Sequence, residues 1–140
     1  MNILCGWAAG IIDGEGSITA RRLTRDTRKG WSSLDLRVSV SMSHRRTIYK
    51  LRHLFGVGSI LAEKRRPHCK QMYRWVCTTQ QAAQVLMEML PWLVTKKKQA
   101  LVLLDLAWEM RGKTSGRVIN LRRRSWQDRR ITKLKELNHV

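Results

Sequence analysis

From Leu34 to Met42 the chain alternates without a break. Leu34, Leu36, Val38, Val40 and Met42 fall on one side of an extended backbone, and Asp35, Arg37, Ser39 and Ser41 on the other. Side chains of a strand point to opposite faces with period two. The run therefore reads as a strand of an antiparallel sheet with one buried and one wetted face. Residues 17–24 read as a second strand, with Ser17, Thr19 and Arg21 opposite Ile18 and Ala20. A hairpin is expected over 59–64 and 71–77, with Tyr73, Trp75 and Cys77 toward the core and Arg74 on the wet face.

Helical periodicity fills the remainder. Residues 3–13 form a short helix that Gly14 and Gly16 should end. A second helix runs from about Ser43 to Phe55, with Ile48, Leu51, Leu54 and Phe55 inward, and stops at Gly56 and Gly58. Thr78-x-x-Gln81 is a capping box for a helix to Leu90, closed by Pro91. Lys96–Arg111 is apolar nearly all round, so it should be largely buried. Residues 112–124 read as a linker rich in Gly, Ser and Arg, and Ser125-x-x-Asp128 opens a basic helix to about Leu137. The order α-β-β-α-β-β-α-α-α predicts one α+β domain over 1–140: a core over 3–111, the linker, and a C-terminal helix over 125–137. Helices cover one face of the antiparallel sheet, and the other face is polar and basic.

That open face matters because of charge. The chain holds 28 Lys+Arg against 10 Asp+Glu, a net +18. Such an excess repels itself in the free protein and calls for a polyanion, with nucleic acid first and anionic lipid second. A membrane surface is the weaker choice, because the cations are not gathered on one amphipathic helix. The apolar run Ile3–Ile12 is too short to span a bilayer and lacks the basic flank of a signal peptide. Cys5, Cys69 and Cys77 form no CxxC, which argues against a disulfide framework or a zinc site and for an intracellular protein.

Two of the ten acids, Asp13 and Glu15, stand at the C-terminal end of the first helix, where the helix dipole disfavours negative charge. Either they are turn residues making local hydrogen bonds, or a bound cation accounts for them. Mg2+ suits a site of one or two carboxylates, a backbone oxygen, waters and phosphate oxygens. On the same helix, Gly6, Ala9, Gly10 and Asp13 fall at i, i+3, i+4 and i+7. This nearly bare stripe would let a second backbone pack closer than the ordinary helix separation.

The segment Ala8-Ala9-Gly10-Ile11-Ile12-Asp13-Gly14-Glu15-Gly16, followed by Ser17-Ile18, resembles the LAGLIDADG motif of the homing endonucleases, with Ala for the leading Leu and Glu for the second acid. Val40-Ser41-Met42, Phe55-Gly56-Val57-Gly58, Tyr73-Arg74-Trp75, Leu90-Pro91-Trp92-Leu93, Lys96-Lys97-Lys98-Gln99-Ala100 and Glu136-Leu137-Asn138 extend the likeness over nearly the whole chain.

The resemblance implies the αββαββα core of that family, with a saddle-shaped sheet lying along the DNA major groove. With a single motif, it implies a homodimer whose motif helices pack through Gly6, Ala9, Gly10 and Asp13, and which cuts both strands of a long, near-palindromic double-stranded site. The cofactor implied is Mg2+, with Mn2+ or Ca2+ able to occupy the same site. Glu15 is the carried-over metal ligand, with the Gly14 carbonyl beside it; Asp13 is placed in the metal set but more as support for the helix end. Lys96 corresponds to the basic residue near the scissile phosphate, with Lys98 as fallback, and Arg45 to a basic position of the second helix.

One departure stands out. Met42 occupies a place where the family often has a Gln that helps to position water, so either Arg45 or His44 takes over or activity is reduced. The second reading, a catalytically silent DNA- or RNA-binding relative acting as maturase or regulator, draws on this departure. A third, a structural RNA-binding protein, rests on charge alone and leaves the acidic pair without an account.

For base reading in the major groove the wet face offers Ser17, Thr19, Arg21, Asp35, Arg37, Ser39 and Arg74. Leu23, Leu61 and Glu63 share that face and fit it less well. Arg25, Arg28, Lys29, Arg65, Arg66 and Lys70 in loops would hold phosphates. The Arg122-Arg123-Arg124 segment and the last helix either clamp the DNA backbone or form a basic surface.

Overall fold

The alternation at 34–42 does build a strand. The computed structural model describes the backbone of residues 3–26, 31–110 and 121–139, and the side chains of all of these but 24–26, 31–33 and 121. Arg28 and Lys29 lie outside the described residues. In chain order the elements are α1 (Ile3–Glu15), β1 (Gly16–Asp26), β2 (Trp31–Met42), α2 (Arg45–Phe55), β3 (Ser59–Ala62), β4 (Tyr73–Thr78), α3 (Gln80–Met89), a 3-10 turn (Leu90–Trp92), α4 (Lys97–Met110) and α5 (Leu121–Asn138).

The strands form one antiparallel sheet in the order β1-β2-β4-β3. Ile18, Ala20, Leu34, Leu36, Val38, Val40, Trp75 and Cys77 are buried on one face. They join Ala8, Ala9 and Ile12 of α1, Ile48, Leu51 and Phe55 of α2, Val85 and Leu86 of α3, Leu103 and Leu106 of α4 and Ile131 and Leu134 of α5 in a single core. Burial there pushes the Cys77 thiol up to about 12. Every described side chain on the opposite face is exposed or half-buried. Among the described residues, no helix is long and apolar enough to cross a membrane.

Two glycines are fixed by space. Gly58, at φ +95°, leaves no room for a Cβ, which would meet the Trp75 indole and stand 2.8 Å from Cys77 Sγ. The indole is held there by its N–H bond to the Val57 carbonyl (3.0 Å) and its stacking on Phe55. Gly16 opens β1 directly over α1, where a Cβ would lie 2.7 Å from the Ile12 backbone.

Several boundaries differ from the sequence reading. Gly14 does not end α1, which continues to Glu15; the chain reverses at Gly16, where only glycine fits over Ile12. Thr79, not Thr78, stands at the N-cap of α3 and makes no side-chain cap bond. Strand pairing takes Thr78, and the Thr79 N–H continues toward Leu36 O at 2.8 Å, so sheet contacts override the capping box. Helix α4 is not buried all round: Leu101 and Trp108 are exposed, and with Met87 and Leu104 they line a groove of about 640 Å³ against α3.

Helix α5 begins at Leu121, inside the expected linker, and Ser125–Asp128 lies within it rather than capping it. Its early start is held by tertiary bonds. Arg123 pairs with Glu109, Gln127 bonds Glu109 (2.9 Å), and Arg22 of β1 reaches Gln127 (3.0 Å) and Asp128 (2.8 Å). These contacts dock α5 on the helical side of the sheet, at the β1 edge.

Candidate functional site

The last turn of α1 leaves carbonyls without helical partners. Lys96, from just before α4, donates its ammonium to the Asp13 carbonyl at 2.7 Å. Asp13 answers in the other direction. Its carboxylate accepts the backbone N–H groups of Val94 and Lys96, each at 2.9 Å. An acid at one helix end thus holds the turn that leads into another, close to the N-terminus that its dipole favours. Each Asp13 oxygen accepts one bond in this clamp, which ties the end of α1 to the turn before α4.

Glu15 is exposed one residue from the strand, and Gly14 is exposed beside it with nothing within 4 Å of where a Cβ would stand. Among the described residues no three of His, Cys, Asp and Glu gather as a metal site. One open carboxylate with a neighbouring carbonyl is a partial set. It fits a hard cation that takes its other oxygens from water, phosphate or a second chain.

The glycine stripe does not face outward as a unit. Ala9 is wholly buried in the chain's own core. A Cβ on Gly6 would lie 3.3 Å from the Trp92 ring, and Asp13 is engaged by the turn before α4. Of the four residues assigned to a dimer interface, only Gly10 is exposed. The reason is rotational: the 3-10 turn and the segment that leads into α4 take the Gly6–Asp13 side. The exposed residues of α1 are instead Ile3, Leu4, Gly10, Gly14 and Glu15. Gly14 follows Gly10 at i+4 and shares its exposure.

At the same end of the sheet, β2 runs past the start of β1, which pairs Gly16 with Val40. Met42 and its β4 partner Tyr73 therefore stand near the end of α1. Arg45 lies over the rings of Tyr49 (5.0 Å) and Tyr73 (5.8 Å), so its partners are aromatic. His44 Nδ1 is 2.7 Å from the Thr47 hydroxyl.

The open face of the sheet reads in rows across the strands. Leu61, Arg74 and Ser41 form one row, and Ser59, Val76, Ser39 and Ser17 the next. Thr78, Arg37 and Thr19 follow, then Asp35 beside Arg21. All seven residues put forward for base reading lie on this face. Ser41, already assigned to the wet face, joins them, and so do Ser59, Val76 and Thr78, which the sequence reading did not name; period two from Arg74 leads directly to the last two. Arg21 and Arg37 both pair with Asp35, and Arg74 pairs with Glu63. Arg65, Arg66 and Lys70 are exposed on the β3–β4 loop; Arg25 lies on β1, its side chain outside the description.

With this geometry in place, residues 8–106 match the family model described as LAGLIDADG endonuclease. No curated protein matches the chain. Solved structures do. An archaeal intron-encoded homing endonuclease, I-Vdi141I, complexed with DNA, superposes with a TM-score of 0.80 at 17% identity, over 96% of this chain and 84% of that one. I-CvuI, bound to uncleaved DNA in the presence of magnesium, gives 0.68 at 17% identity, over 99% and 96%. I-SmaMI gives 0.64 at 20% identity, over 96% of this chain but 44% of that one.

Proposed function

The chain belongs to the LAGLIDADG endonuclease family, and on that premise we propose that it is a homodimeric DNA endonuclease that uses a divalent cation, Mg2+ by preference, to cut both strands of a near-palindromic duplex. One observation carries the reading: Lys96, 83 residues from Asp13 in sequence, is held by it at the very end of α1, next to the open carboxylate of Glu15. Glu15 and the Gly14 carbonyl would hold the cation. A cation bound there lowers the pKa of an attacking water and stabilises a leaving oxygen. Lys96 keeps further N–H donors beyond its bond to Asp13 and would set positive charge against a phosphate. Asp13 keeps that lysine and the α1 end in register.

The pairing of subunits draws on α1. Exposed glycines inside a helix cost about 1 kcal/mol each relative to alanine, and Gly10 and Gly14 meet nothing within their own chain. A second α1 packed against them would account for both, in an isologous contact that brings two Glu15 carboxylates to the axis.

The test uses duplexes that the protein enriches from a randomised DNA pool in Ca2+. Replacing Ca2+ with Mg2+ should cut them. Glu15→Gln should abolish cutting and keep binding, and unchanged cutting by that variant removes Glu15 from its role. The silent-binder reading draws on Met42, half-buried against the core with only a thioether to offer. Tight binding with no Mg2+-dependent cutting by the unaltered protein would establish it instead.

A further inference from the structure

Acids on a surface that meets a polyanion weaken its hold, and this chain has few to spare. Yet Asp35 and Glu63 both lie on the open face of the sheet. Neither is presented as a free acceptor. The Asp35 side chain is 11% exposed, beneath arginines that are 64% and 37% exposed. One oxygen, Oδ2, accepts Nε–H of Arg21 at 2.9 Å and an Nη–H of Arg37 at 3.1 Å. Glu63 is arranged the same way two strands over. Its Oε1 takes an Nη–H of Arg74 at 2.7 Å and the Ser41 hydroxyl at 3.1 Å. Ser41 Oγ in turn accepts Arg74 Nε–H at 2.9 Å.

Surface ion pairs contribute little to stability, so stability does not account for two acids in this position. Geometry does. A guanidinium is a planar fork of five N–H donors, and its commonest base-specific contact is bidentate, to the O6 and N7 of guanine. A fork already oriented by a carboxylate loses less freedom when it binds. Each of the three arginines spends part of its donor set on its acid and keeps further N–H groups for DNA.

We propose that Asp35 and Glu63 are positioning residues for sequence recognition, holding Arg21, Arg37 and Arg74 as pre-aimed forks for guanine in the major groove. Asp35 then reads no base itself, contrary to its place in the sequence-derived set. The inference rests on the DNA-reading function proposed above and deepens it.

The opposing signs make it testable. The full chain, Asp35→Ala, Glu63→Ala and a charge-matched control on α3, Glu88→Ala, are each used to enrich a randomised duplex pool in Ca2+. Affinities are then measured for the duplex the unaltered protein enriches and for a scrambled one. Removing either acid should cut the preference at guanine positions about tenfold, while tightening binding to scrambled DNA about twofold or more, because a repulsive charge is gone. The Glu88 variant should keep the preference. Thermal melts verify folding, and each acid is tested separately, so loss of one variant leaves the other. Unchanged preference in the folded variants, or equal loss of affinity for both duplexes, overturns the proposal and leaves the endonuclease reading standing. If the unaltered protein enriches no sequence, both fail.

Discussion

Asp13 and Lys96 show how a residue can look misplaced in sequence and be well placed in space. In sequence, an acid follows a helix C-terminus and a lysine precedes a helix N-terminus, both against the dipole. In the fold the two ends meet. Asp13 faces the N–H groups before α4, and Lys96 faces a terminal carbonyl of α1. Each charge is unfavourable to its own helix and favourable to its neighbour's. The placement of Asp13 therefore has a structural account, and only Glu15 keeps the original argument for a cation. This separates the two acids experimentally. Asp13→Ala removes two charge-assisted bonds and should cost about 2–4 kcal/mol, seen as a lower urea midpoint. Glu15→Gln should leave that midpoint unchanged while abolishing cutting. An Asp13 variant as stable as the unaltered chain would show that the clamp is not formed.

At the scale of elements, glycines divide by what surrounds them. Gly58 sits at φ +95° against the Trp75 indole, so Gly58→Ala meets both backbone strain and overpacking and should lower stability by about 3 kcal/mol or more. Gly10 is a helical residue in open space, so Gly10→Ala should stabilise the isolated fold by up to about 1 kcal/mol. If α1 packs on its symmetry mate, Gly10→Leu should keep the thermal melt of the fold yet sediment as a monomer where the unaltered chain sediments as a dimer. A Gly10→Leu protein that still dimerises would place the interface elsewhere. Helix α5 shows the other side of element formation. Its start is held by Arg22 and Glu109, which lie outside the helix and pair with its Asp128 and Arg123, rather than by a local cap.

For the whole molecule, the arrangement is a sheet with its core on one side and arginines, serines and threonines on the other, bordered by the cationic β3–β4 loop. A net +18 bound along a duplex releases many counterions. DNA affinity should fall about a thousandfold or more between roughly 50 and 200 mM salt; a nearly flat salt response in a fluorescence titration would mean that the charged face is not the contact. The sequence by itself determined the sheet and its two faces, because strand period and burial are local to the backbone. Leu34, Leu36, Val38 and Val40 could face only inward once Asp35, Arg37 and Ser39 faced out. It also determined the acidic helix end, through a motif nine residues long. Tertiary structure alone decided which side of α1 stays open, that Asp13 clamps while Glu15 stands free, and that Asp35 and Glu63 hold arginines. Each of those outcomes depends on partners that are not chain neighbours, 83 residues apart for Asp13 and Lys96, and a helix end or carboxylate has no way to signal in its own neighbourhood what will arrive beside it.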